Sequence, residues 1–326
     1  MKRRSFIKTA GAAGVSAGIT SVSTKNAESR TMDVGIPKRP YGSTGEYLSV
    51  VGLGGMVLRG VEQTRADRIV REAFEAGVNY FDVAPTYGNA EERLDPALEP
   101  FRKDVFLACK STERTAGGIG KELRHSLEIL RTDHFDLYQL HSLTTADDIR
   151  TAFGSGGALE EVEKAKRDGL FRYIGFSAHS VEAAMEALEL YRFDSILVPV
   201  NFVAWSNGNF GPQLVEYARS RGVAVLALKS MAFTRLAEGE KSRYPNCWYR
   251  PVDEEEKASL ALRFTLSLPV TAAVPPGDES LFRMAMKLAP SFIPLSERER
   301  GELTALAKDI RPIFAYPSDR FDVTEG

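Results

Sequence analysis

Eight short apolar runs, each followed by an amphipathic helical stretch, set the limits on what this chain can fold into. The runs are Leu48–Met56, Tyr80–Ala84, Val105–Lys110, Phe135–His141, Tyr173–Ser177, Ser195–Asn201, Val223–Lys229 and Thr271–Val274. Helical periodicity marks Arg65–Ala76, Glu91–Leu98, Lys121–Leu130, Leu159–Lys166, Val181–Glu189, Gln213–Ser220, Glu254–Leu266 and Ser280–Leu288. Near-continuous apolar strands are buried on both faces, the condition of a parallel sheet covered by helices. Eight such units predict an α/β fold of the closed (β/α)8 type, a TIM barrel, rather than an open doubly wound sheet. Gly77, Gly169 and Gly222 fall where helices should stop before the next strand, as a left-handed C-terminal cap requires.

Three segments stand outside the eight units. Lys38–Tyr47 (KRPYGSTGEY) carries turn chemistry and predicts an N-terminal hairpin closing the barrel floor. Residues 231–253 form a long loop after the seventh strand, where barrel enzymes keep substrate loops. Residues 296–309 predict an extra C-terminal helix, begun by Ser296 with Glu299 three positions on as a capping box.

The first 32 residues differ in kind. MKRRSFIK is followed by the Gly/Ala/Ser-rich run TAGAAGVSAGITSVS, which reads as a twin-arginine export signal or, more plainly, a disordered basic tail. The expected organisation is therefore residues 1–32 as signal or tail and 33–326 as one barrel. The signal implies contact with export machinery and a periplasmic or exported location, cytoplasmic if it is not used. No segment reaches the roughly 18 uninterrupted apolar residues of a stable membrane span.

A formal net charge of -2 and a pI near 6.2 leave no broad basic field for nucleic acid. The two cysteines, Cys109 and Cys247, are far apart and form no metal or redox motif, and Cys109 lies in a strand where a packed thiol is expected. A metal-dependent hydrolase is disfavoured, because the first strand holds no HxH pair or other ligand.

In a barrel of this kind the chemistry sits at the C-terminal ends of the strands. Strand two ends at Asp82, with Tyr87 five residues on; strand three ends at Lys110 and strand four at His141. The combination makes chemical sense. A phenol of pKa about 10 is a poor acid at neutral pH, and a lysine cation beside it, held by a carboxylate, lowers that pKa. An imidazole close by can orient a carbonyl oxygen as charge develops on it.

The segments GVNYFDVAPTYGNAEE, VFLACK and FDLYQLH, with LSVVGLGGM and RYIGFSAH, resemble those of the aldo/keto reductase family from residue 38 to about 290. The resemblance implies a barrel that binds NADP(H) or NAD(H) without a Rossmann motif and acts on a small-molecule carbonyl or sugar. It implies Tyr87 as general acid, tuned by Lys110 and Asp82, with His141 positioning substrate. It implies cofactor contacts at Gly55, Met56, Ser177, Asn201, Lys229, Ser230, Gly277 and Arg283. The cofactor side departs from the family's pattern. Ala178 follows Ser177 where a Ser-Asn pair is usual, and Leu197 takes the place of a usual glutamine, with Asn201 nearby. Arg283 is the only cation near the last strand, while Asp278 and Glu279 would favour NAD(H), so the cofactor choice stays open. Cys247–Arg250 offers aromatic faces for one substrate wall or for packing on the rim. A barrel that holds cofactor without turnover, as sensor or subunit, is the alternative function.

Overall fold

The computed structural model describes residues 35–319 and Phe321; the segment read as an export signal lies outside the described residues. A small antiparallel hairpin comes first, β1 (Lys38–Pro40) paired with β2 (Tyr47–Ser49). Then follow β3 (Leu53–Gly54), α1 (Gln63–Glu75), β4 (Tyr80–Asp82), α2 (Ala90–Leu98), β5 (Phe106–Ser111) and α3 (Ala116–Ile129). β6 (Phe135–Leu143), α4 (Ala146–Phe153), α5 (Ala158–Arg167), β7 (Phe171–Ala178), α6 (Val181–Leu190) and β8 (Ser195–Pro199) come next. The chain continues with α7 (Phe202–Ser206), α8 (Pro212–Ser220), β9 (Ala224–Leu228), β10 (Ala232–Arg235) and β11 (Tyr249–Pro251). It ends with α9 (Glu255–Leu266), β12 (Ala272–Val274), α10 (Glu279–Leu288) and α11 (Glu297–Ala307).

Strands β3 to β9 and β12 form one eight-stranded parallel sheet in chain order. The sheet closes where Gly52 N donates to Ala273 O at 2.9 Å and Ala273 N donates to Val50 O at 2.8 Å. The expected (β/α)8 barrel is the observed fold. Its interior is a packed layer that includes Tyr80, Phe106, Leu137, Leu197 and Leu226, while a larger apolar cluster joins the outer strand faces to the helices. The hairpin plugs the N-terminal end: Tyr41 is buried and its hydroxyl donates to Ser195 Oγ at 2.7 Å.

The first strand is shorter than the apolar run suggested. Leu48 and Ser49 belong to the hairpin, and only Leu53–Gly54 pairs with β4 before a 3-10 turn at Gly55–Leu58. The reason lies in close packing. A Cβ at Gly52 would stand 2.4 Å from the Tyr80 ring and one at Gly54 2.8 Å from Val274. These glycines let the barrel wall close around large neighbours rather than extend a regular ladder.

Helix starts also differ. α3 begins at Ala116, capped by Thr115, five residues before the apolar periodicity sets in. α4 was unanticipated, although Thr145 and Asp148 make a complete capping box. The long loop is not wholly irregular, because β10 and β11 pair within it. The terminal helix and its Ser296–Glu299 box are as expected.

Candidate active site

The alternation of inward and outward side chains along each strand aims the last inward residue of every strand at one mouth. A cavity of about 300 Å³ opens there, lined by Asp82, Tyr87, Lys110 and His141 among others. The four residues expected to act together are thus brought together.

Lys110 is fully buried and its ammonium donates to Asp82 Oδ2 and to the Val83 carbonyl, the latter at 3.2 Å. Gln139 Nε2 donates to the other Asp82 oxygen at 2.9 Å. The Lys110 ammonium lies 4.8 Å from the centre of the Tyr87 ring, and the His141 ring meets Tyr87 edge-on at 5.8 Å. Burial alone would depress the amine, but the Asp82 carboxylate outweighs it, and Lys110 is held above its ordinary value as a permanent cation.

Tyr87 departs from the expectation of a lowered pKa. Burial pushes the phenol above its ordinary value; Lys110 pulls it down, and Asp82 pushes it up again. The ion pair cancels much of the lysine's influence, so desolvation decides the direction. His141 is pushed well below the usual imidazole range by burial and by Lys110, which keeps the ring neutral.

The strand ends around the tetrad are fixed by a network that the sequence did not reveal. Ser142 adopts φ 62°, a left-handed turn directly after His141. Its amide donates to Ser177 Oγ at 2.7 Å, and its hydroxyl pairs with His179 Nδ1 at 2.8 Å. Arg114 donates to the carbonyls of His141 and Ser142 and pairs with Asp148, the third residue of α4 and partner of Thr145 in its capping box. The unforeseen helix therefore anchors the end of the histidine strand.

Of the eight cofactor candidates, Met56, Ser177, Lys229 and Gly277 line the cavity. The other four do not. Gly55 is a close-packing position, where a Cβ would meet Val83 Cγ2 at 2.9 Å. Asn201 is buried beneath α7, its side-chain oxygen accepting from Ala204 N, with Nδ2 unpartnered. Ser230 is buried with an unpartnered hydroxyl. Arg283 is tied to Glu72 and Glu279, which neutralise its charge, and Asp278 caps α10.

Lys229, at φ 59°, presents its amine between Trp248 and Phe314, 5.9 and 5.6 Å from the ring centres. Burial pushes this amine down to about 8. It makes no ion pair among the described residues. Trp248 and Tyr249 of the long loop line the cavity, and Phe314 stacks on His179 at 5.0 Å. Asn246 from the same loop donates to the carbonyls of Met56 and Arg59, clasping the loop over the 3-10 turn. Cys109 is a buried, free thiol, as anticipated, and it donates to Glu91 Oε1 at 3.6 Å. No cluster of three or more His, Cys, Asp or Glu side chains able to hold a metal occurs among the described residues.

Comparison with known proteins gives concordant results. Residues 50–272 match the sequence model of the aldo/keto reductase family. The chain is 34% identical over 175 residues to the uncharacterized oxidoreductase YqkF of Bacillus subtilis (strain 168), covering 49% of this chain and 55% of that protein. The chain thus spans just over half the length of that relative. It is 28% identical over 247 residues to L-galactose dehydrogenase of Arabidopsis thaliana, covering 69% and 74% of the two chains. Among solved structures, the holo form of aldo-keto reductase AKR11C1 from Bacillus halodurans superposes with a TM-score of 0.68 at 25% identity, over 85% of this chain and 98% of that one.

Proposed function

The chain belongs to the aldo/keto reductase family, and from that premise we propose that Tyr87, Lys110, Asp82 and His141 are the catalytic residues of an NAD(P)H-dependent oxidoreductase interconverting a carbonyl compound and its alcohol. The observation that carries this reading is the buried Lys110–Asp82 pair beside the Tyr87 ring, inside a cavity that His141 also lines. Buried ionised groups are costly, and a pair held at a cavity wall rather than in the outer shell is what proton chemistry at a tyrosine needs.

The site's donors fit a nicotinamide dinucleotide. Ser177 Oγ accepts from Ser142 N and keeps its own proton for a carboxamide oxygen. Lys229 offers a cation without an anionic partner among the described residues, suited to a phosphate. Met56, on the 3-10 turn, and Gly277, in the loop after β12, line the same cavity. The carboxamide is less fully held than the family's pattern implies, since Leu197 contributes only apolar surface. When bound, the nicotinamide supplies or accepts the hydride.

The protein's own residues manage the oxygen. Tyr87 is protonated at neutral pH and donates to the carbonyl oxygen as negative charge grows there. Lys110 stabilises the phenolate left behind, and Asp82 holds Lys110 in place. Neutral His141 orients the same oxygen toward the phenol. Trp248 and Tyr249 supply the face against which a sugar ring or other apolar body rests. The similarity to L-galactose dehydrogenase makes aldose sugars one class to try.

The test is loss of reduced-cofactor absorbance with a panel of aldehydes, ketones and sugars, using NADPH and NADH in turn. At least one class should be reduced with saturation kinetics. Tight cofactor binding with no turnover across the panel would favour a barrel that holds cofactor without chemistry.

Residues 1–32 complete the proposal as an export signal preceding a barrel domain of residues 33–326. The basis is the paired arginines Arg3 and Arg4 followed by Ser5-Phe6-Ile7-Lys8 and a mild apolar run. Cell fractionation should find the protein outside the cytoplasm, and a double Arg3→Lys, Arg4→Lys variant should retain it inside. Equal distribution of both proteins would refute the signal.

A further inference from the structure

We propose that this cavity selects carbonyl substrates bearing an anionic group, a carboxylate or a phosphate ester, and that Arg59 is the residue that reads it. The proposal deepens the carbonyl oxidoreductase reading and rests on it. Among the described residues, charge in the cavity is unbalanced: Arg59, Lys110 and Lys229 line it, against the single carboxylate of Asp82. Asp82 neutralises Lys110, and Lys229 is suited to a cofactor phosphate. Arg59 is left over.

Its position suits substrate rather than scaffold. Arg59 follows the 3-10 turn at Gly55–Leu58 on the rim of the mouth, and its side chain is exposed. Its Cγ and Nε lie 3.4 and 3.5 Å from where a Cβ on Gly88 would stand, and Gly88 directly follows Tyr87. The guanidinium is thus laid against the loop carrying the proposed acid. Among the described residues it enters no ion pair, and its backbone carbonyl accepts from Asn246 Nδ2 at 3.3 Å, so the residue is tethered while its charge is unused.

A guanidinium offers parallel N–H donors that match a carboxylate or phosphate two at a time. A neutral carbonyl compound would leave those donors to water. Placing the anion on the rim also lets the field at the mouth draw substrate inward, an effect that salt weakens.

The experiment compares matched pairs on the full-length protein and on Arg59→Gln. One pair is para-carboxybenzaldehyde and its amide, para-carbamoylbenzaldehyde; the other is glyceraldehyde phosphate and glyceraldehyde. The charged member should be favoured by about 10- to 100-fold in kcat/KM, mainly through KM. Arg59→Gln should erase that preference while leaving the neutral member and cofactor affinity unchanged. Preference in the first pair alone assigns a carboxylate, and in the second alone a phosphate.

A binding arm separates this proposal from the catalytic reading. Titration calorimetry with para-(hydroxymethyl)benzoate, and with phosphoglycerol, needs no turnover. Arg59-dependent binding of either anion, with no carbonyl reduced, would sink the catalytic reading and keep anion recognition. Equal kcat/KM within both pairs, a preference that survives Arg59→Gln, or an equal loss for charged and neutral members would overturn the proposal.

Discussion

Gln139 Nε2 donates to Asp82 Oδ1 at 2.9 Å while the Lys110 ammonium takes Oδ2, so both oxygens of one buried carboxylate are committed. The amide has no freedom to reverse, because its oxygen would then face a negative charge. Gln139 Oε1 is left buried without a hydrogen-bond partner, and the charge of Asp82, with a hydrogen bond between it and the Tyr80 hydroxyl, helps burial push the Tyr80 phenol well up. We expect Gln139→Leu to cost about 1–3 kcal/mol of stability by stripping a donor from a buried carboxylate. It should also lower kcat more than it raises KM, since Gln139 acts through Asp82 and Lys110. Thermal unfolding and steady-state kinetics read the two effects. An unchanged melting temperature would mean that the bond contributes nothing.

The ion pair itself separates stability from catalysis. Lys110→Met leaves Asp82 uncompensated in the interior and should destabilise the fold by about 3–5 kcal/mol. Adding Asp82→Asn should recover most of that loss without recovering turnover, because the cation beside Tyr87 is still missing. Recovery of both together would show that Lys110 serves only the fold.

The direction of the Tyr87 shift fixes the pH behaviour. A phenol held above its ordinary value of about 10 stays protonated through neutral pH. Carbonyl reduction needs that protonated form, so kcat/KM should be level from about pH 6 to 9 and fall only at higher pH. Alcohol oxidation needs the phenolate and should rise over the same alkaline range. A reduction profile that falls between pH 6 and 8 would contradict a protonated Tyr87 as donor.

Lys229 predicts a second, separable dependence. Its amine, pushed down to about 8 by burial, loses its charge as pH rises through that value in the free protein. A bound phosphate would stabilise the cation and raise that pKa. Cofactor affinity should therefore weaken as pH climbs above about 8, with proton uptake on binding measurable by calorimetry in buffers of different ionisation enthalpy. The Lys229→Met variant should bind more weakly and show no such slope. An identical slope in that variant would remove Lys229 from the cofactor site.

The sequence made the barrel legible because its signal is local and repeated: buried parallel strands are apolar throughout, and Gly77, Gly169 and Gly222 stop helices with φ of 98°, 82° and 71°. Asp82, Lys110 and His141 stood out for the same reason, as ionisable residues at the ends of apolar runs. Gln139 carries no charge to mark it, although it precedes His141 by two positions on one strand face, a spacing that places both inward. Arg59 was hidden by the irregular first strand, where Gly52 and Gly54 yield to Tyr80 and Val274 and no period survives to read. The split between lining and non-lining cofactor candidates depends on packing between strands. Sequence alone does not show that the distant Glu72 joins the helical neighbour Glu279 in holding Arg283, although the local cap that Asn201 makes on α7 was open to reading. The lysine beside Tyr87 predicts a lowered phenol pKa, but burial, with the Asp82 charge, outweighs Lys110 and raises it.

Replacing the Tyr87 hydroxyl tests the account most directly. Tyr87→Phe should lower kcat by about 10²- to 10⁴-fold, the range for loss of a positioned proton donor, while cofactor affinity measured on the same preparation stays near that of the native protein. Native turnover in a correctly folded Tyr87→Phe protein would contradict the assignment and move the proton donor elsewhere in the cavity.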